Sequence, residues 1–149
     1  MNRLSAFLFS PFRTSAKGLF SLFSPKRNNM EQKFIVSASQ TAEVMGSGDM
    51  PVLATPALVA MMENAAMLEA RPLLQEGETT VGGSIDVLHL KPSPVGAEIR
   101  VTATITYHEE RKFEFAIEAL QGGALVGKAT HTRFAVNRER FLSKLQHFK

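Results

Sequence analysis

TPALVAMMENAAMLEA, residues 55–70, is the least polar stretch of the chain, and after Pro56 only Glu63, Asn64 and Glu69 interrupt it. A threonine at the N-cap with proline directly after it is a helix start, because proline in the first turn sacrifices no hydrogen bond and its fixed φ suits the helix. The apolar residues run around most of the circumference, so the helix is expected to lie buried within protein and to end near Pro72 or Gly77. It falls short of the roughly 20 apolar residues that a bilayer demands, and Glu63 sits at its centre. A carboxylate among apolar neighbours is costly to ionise. Three and four positions from Glu63 the same helix offers Val59, Ala60, Ala66 and Met67, none of them a cation. Either a group outside the helix pairs with Glu63, or its carboxyl resists ionisation.

Downstream the pattern changes to period two. Ile85, Val87 and His89 share one face of a strand. Ile99, Val101, Ala103, Ile105 and Tyr107 share one face of a second, and Phe113, Phe115, Ile117 and Ala119 one face of a third. Pro92, Pro94 and Gly96 separate the first two, residues 108–111 turn between the next, and Gly122-Gly123 signals a hairpin before a strand over 125–136. A short helix from Arg138 to about Gln146 closes the chain. Upstream, a short strand over 33–37 and the loop Gly46-Ser47-Gly48-Asp49, followed by Pro51, lead into the long helix. One buried helix followed by an antiparallel meander predicts an α+β hotdog fold, with the sheet wrapped around a long central helix.

The chain has 149 residues and a formal charge of +3, yet all 14 acidic residues lie at or after Glu31, whereas Arg3, Arg13, Lys17, Lys26 and Arg27 precede it. Twelve of the 17 basic residues remain for the rest, which is therefore slightly acidic. The basic balance belongs to the tail, and no nucleic-acid partner is expected. Residues 1–29, with no acids, five serines and five phenylalanines, have the composition of an organellar presequence; the alternative is that Met30 is the true start. The domain organisation is thus an extension over 1–29 and one domain over 30–149. A cytoplasmic location is expected, or the mitochondrial matrix if the extension is a genuine presequence. With no cysteine, disulfides and thiolate chemistry are excluded. His108, His131 and His147 lack metal-ligand spacing, and no nucleophile-elbow serine or phosphate-binding glycine loop occurs. No metal and no stable membrane insertion are expected.

The stretch from Val52 to Glu63, together with Gly82-Gly83-Ser84-Ile85-Asp86-Val87-Leu88-His89, resembles the fluoroacetyl-CoA-thioesterase-like branch of the hotdog thioesterases. The resemblance covers about residues 31–147. It implies an acyl-CoA thioesterase acting on a small acyl group, with Thr55, Glu63 and His89 as catalytic residues and Gly82 as the glycine that admits backbone close to the thioester. It further implies Ala57 and Leu58 beside the substrate, a homodimer with active sites between subunits, and no cofactor, coenzyme A being part of the substrate. The chemistry agrees. Thioester hydrolysis needs a nucleophile or activated water, a group that manages protons, and donors facing the developing oxyanion. Seen singly, Thr55 is a helix cap, Glu63 a structural carboxylate, His89 a strand-edge histidine and Gly82 a bulge; their combination carries the reading. The alternative is a non-catalytic acyl-thioester binding module. One departure bears on the substrate: the fluoroacetyl-selective member is expected to carry lid phenylalanines before the threonine, and residues 46–53 contain no aromatic side chain. That points to another short acyl group. Lys91, Arg133, Arg138 and Arg140 are candidates for contacts to the phosphates of coenzyme A.

Overall fold

The computed structural model describes residues 29–146, so most of the presequence-like extension, and His147, lie outside it. Five antiparallel strands form one sheet in the order β1-β3-β4-β5-β2: β1 Glu31–Ile35, β2 Glu78–His89, β3 Glu98–Glu109, β4 Lys112–Gln121 and β5 Ala124–Asn137. Three helices accompany them, α1 Ala42–Met45, α2 Thr55–Ala70 and α3 Arg138–Leu145. The sheet curls around α2, which lies chiefly against β3, giving the α+β hotdog arrangement. No helix among the described residues is long and apolar enough to cross a membrane.

The alternation read from the sequence is what buries the sheet's inner face. Ile99, Val101, Ala103, Phe113, Phe115, Ile117 and Ala119 are all essentially inaccessible, and Leu58 and Met62 of α2 meet them. Each such valine, leucine, isoleucine, methionine or phenylalanine contributes about 1.5–3 kcal/mol through burial, and each alanine less. The close approach of helix to sheet depends on Gly127 of β5, where a Cβ would stand 2.8 Å from Leu58 Cδ2 and 3.1 Å from Met62 Cε.

Several expectations are corrected. Tyr107 does not continue the buried face of β3, because a register shift between Ile105 and Tyr107 breaks the alternation and turns the ring outward. The first strand begins at Glu31 and ends at Ile35, and residues 38–45 hold a 3₁₀ turn (Ala38–Gln40) and α1, both too short to show a helical period. Helix α2 ends at Ala70, where Pro72 turns the chain into a 3₁₀ segment, Arg71–Leu73. A second register shift, between Gly82 and Ser84, marks the Gly82-Gly83 pair as a bulge in β2. Among the described residues β2 pairs only with β5, which leaves its other edge open.

Candidate active site

Thr55 is the first residue of α2, and the N-cap position falls on Ala54 with no side-chain capping bond. The capping role expected for Thr55 is therefore absent. Its hydroxyl instead lies 2.9 Å from Nδ1 of His89, the last residue of β2. His89 is half-buried, and its Nε2 is inaccessible with no hydrogen bond of normal geometry among the described residues. Burial holds the His89 imidazole below its ordinary pKa, an effect the Lys91 backbone offsets only in part. A cavity of about 330 Å³ opens beside this pair, walled by Ala42, Val52, Leu53, Leu90 and Pro92.

Two turns further along α2, Glu63 receives the external partner its own helix lacks. Arg133 of β5 reaches it with Nη1 at 3.4 Å from Oε2. The guanidinium is almost wholly buried, while 39% of the Glu63 side chain remains accessible. Arg133 donates from Nε to Thr80 Oγ1 at 2.8 Å and from Nη2 to the Thr80 carbonyl at 2.9 Å, a fork that fixes its plane. Burial lowers its pKa, with Glu63 acting in the opposite sense. Gly82 faces this carboxylate: a Cβ there would stand 2.9 Å from Glu63 Oε2, so the glycine leaves the approach to the carboxylate open.

Glu63 lies eight positions after Thr55 on the helix, about 12 Å along the axis. The chain thus holds two separate polar clusters, Thr55 with His89 at the start of α2 and Glu63 with Gly82 and Arg133 two turns further along it. Ala57 and Leu58 lie in the core, Leu58 wholly inaccessible and packed against Gly127. Arg133, taken from the sequence as a candidate phosphate contact, is 5% exposed and engaged with Glu63 and Thr80, so it is no surface cation. Arg133 and His131 are the polar groups the sequence reading missed at this site. A signal for them existed: they share the parity of the buried Ala129 and Ala135, whereas Lys128, Thr130 and Phe134 point outward.

The profile of the family described as fluoroacetyl-CoA-specific thioesterase matches residues 36–139, which contain both polar clusters. The chain belongs to this fluoroacetyl-CoA-specific thioesterase family. A relative in that family, the fluoroacetyl-CoA thioesterase of Streptantibioticus cattleyicolor, is 33% identical over 95 residues, 64% of this chain and 68% of the other. A solved structure of the fluoroacetyl-CoA thioesterase FlK superposes with a TM-score of 0.75 at 27% identity, covering 85% of this chain and 99% of that one. A variant of FlK in complex with fluoroacetate and CoA gives 0.74 at 28% identity, over 80% and 98%. A thioesterase superfamily member from Thermus thermophilus, 24% identical with a TM-score of 0.73 over 85% of this chain and 95% of its own, shares the fold.

Proposed function

We propose that this thioesterase-family protein hydrolyses a small acyl-CoA thioester to the free acid and CoA, with an active site completed by a second copy of the chain. The observation that carries the reading is the Thr55–His89 bond, which consumes Nδ1 and leaves a buried Nε2 with no hydrogen bond of normal geometry among the described residues. With Thr55 O–H donating to Nδ1, Nε2 carries the proton and offers it to the thioester oxygen as negative charge develops there. The Ala57 N–H, in the first turn of α2 ahead of the bond from Leu58 N–H to the Ala54 carbonyl, is a second donor of the right kind. Glu63, its charge balanced by Arg133, takes a proton from water; the resulting hydroxide bonds to the acyl carbon. When the tetrahedral intermediate collapses the C–S bond breaks, and the proton held by Glu63 passes to the departing thiolate.

The open edge of β2 supports the homodimer. Two such edges paired antiparallel about a point midway between Gly82 and His89 set His89 of the partner subunit opposite Gly82. Glu63 then meets the Thr55–His89 pair across the interface. Helix α2 agrees with this: Pro56, Ala60 and Asn64 form an exposed stripe on an element that is mostly buried or half-buried. The apolar walls of the 330 Å³ cavity suit an acyl chain, and its volume lies near the lower end of small-molecule sites. Exposed Met50 and half-buried Val52 stand in the segment where aromatic lid residues were sought, which favours a small acyl group other than fluoroacetyl. Lys91 lines the same cavity and is the candidate contact for CoA phosphates.

Thiol release from short, branched, aromatic and long acyl-CoA esters tests the reading. The wild type should turn over at least one short ester, and Glu63→Gln should lower kcat by about two to four orders of magnitude, the range of a lost general base, with the fold intact. Full activity in Glu63→Gln would sink the mechanism. A wild type that binds acyl-CoA yet releases no thiol would be a binding module.

A further inference from the structure

His131 is a buried titratable group that the mechanism above leaves unused. It is 3% exposed and sits on the inner face of β5, between Ile85 of β2 and Phe115 of β4 in register. Its Nδ1 lies 2.7 Å from the Ser84 carbonyl oxygen, which can only accept, so Nδ1 carries the proton and donates. That fixes Nε2 as an acceptor, and Arg133 Nη1 donates to it at 3.1 Å. Nη1 has two protons. With one taken by His131, the other is directed at Glu63, whose Oε2 and main-chain oxygen lie 3.4 and 3.5 Å away.

We propose that His131, in its neutral Nδ1–H form, is a positioning residue for Glu63: by accepting one proton of Arg133 Nη1 it aims the other at the carboxylate. The proposal rests on the thioesterase reading for its catalytic consequence, though the geometry stands apart from it. Protonation of Nε2 would set two N–H donors against each other at the distance of a hydrogen bond, breaking the aim of Nη1. The charged groups facing His131 are Arg133 from its own strand and Glu63 from α2. Strand β2 contributes the Ser84 carbonyl, and β4 the Phe115 ring, 6.1 Å away centroid to centroid. Burial and Arg133 push the imidazole below its ordinary pKa, against the Ser84 bond and Glu63. The neutral form therefore persists to lower pH than in a free imidazole, and the aim is lost as pH falls through the folded-state pKa.

The test pairs kinetics with NMR on the full chain. His131→Ala should lower kcat by about ten- to a hundredfold, the range a misplaced catalytic group costs, with KM nearly unchanged. His131→Gln, whose amide can accept from Nη1, should recover most of that loss at pH 8, and its acid limb should lack one titrating proton relative to wild type. Wild-type kcat in His131→Ala would overturn the proposal, as would equal losses in both variants that track their melting temperatures. Nitrogen-detected spectra should show His131 as the Nδ1–H tautomer and separate Nη1 and Nη2 signals for Arg133. The Nη1 signal should shift in His131→Ala and on acidification of the wild type, while Nη2, held by Thr80, stays in place. This readout needs no turnover: absence of thiol release in the wild type would count against the thioesterase reading, while an Nε2–H tautomer or an unchanged Arg133 Nη1 signal would count against the role of His131.

Discussion

At the scale of single residues, Thr55 shows how one hydroxyl can have two local uses of which the fold permits one. A threonine before proline at a helix start reads as a cap, and loss of a real cap costs about 1 kcal/mol. Here the hydroxyl goes to His89 and caps nothing. Thr55→Ala should therefore leave the denaturant midpoint almost unmoved, within about 0.5 kcal/mol, the range of an exposed substitution away from special features, while depressing turnover because Nδ1 of His89 loses the bond that orients the ring. Thr55→Ser, which keeps the hydroxyl, should retain much of the activity. A Thr55→Ala protein destabilised by a full kilocalorie but undiminished in turnover would return this residue to the capping role. Glu63 was the more legible residue: a carboxylate on a helix without cations announces an external partner, although nothing local to the helix names Arg133, 70 positions away.

At the scale of elements, legibility followed period and length. Strands β3 and β4 carried four or more alternating apolar residues each and were readable as strands with a defined buried face; α2 was readable from its apolar run. The 3₁₀ turn at Ala38–Gln40 and α1 at Ala42–Met45 were not, since one turn of helix sets no period. The bulge that rotates Tyr107 outward was equally silent, because a single extra residue leaves the composition of a strand unchanged. Nor did the sequence reveal that β5 must pass under α2 without a side chain at Gly127. Gly127→Val should force Leu58 and Met62 from their places, at a cost of about 1–3 kcal/mol by overpacking, measurable as a lowered urea midpoint at constant m value. Wild-type stability in that variant would mean that α2 lies further from the sheet than the 2.8 Å approach requires.

At the scale of the whole molecule, the separation of Glu63 from the Thr55–His89 pair within one chain is the feature that a linear reading of Thr55, Glu63 and His89 could not resolve. Their spacing in sequence is compatible with one cluster or with two, and about 12 Å of helix keeps Glu63 apart from Thr55 within one chain. A two-fold pairing of β2 edges would join each Thr55–His89 pair to the Glu63 of its partner, which makes a sharp experimental demand. Thr55→Ala and Glu63→Gln homodimers should each be nearly inactive. Mixed in equal amounts and allowed to exchange subunits, half the dimers become mixed, and each mixed dimer has one doubly altered site and one site with all residues native. Because an isologous interface gives every dimer two sites, about a quarter of wild-type activity should reappear. Recovery should follow the kinetics of subunit exchange and vanish when exchange is blocked. If the three residues worked within a single protomer, no mixture could exceed the two inactive parents, and sedimentation showing only monomers with full activity would remove the shared site altogether.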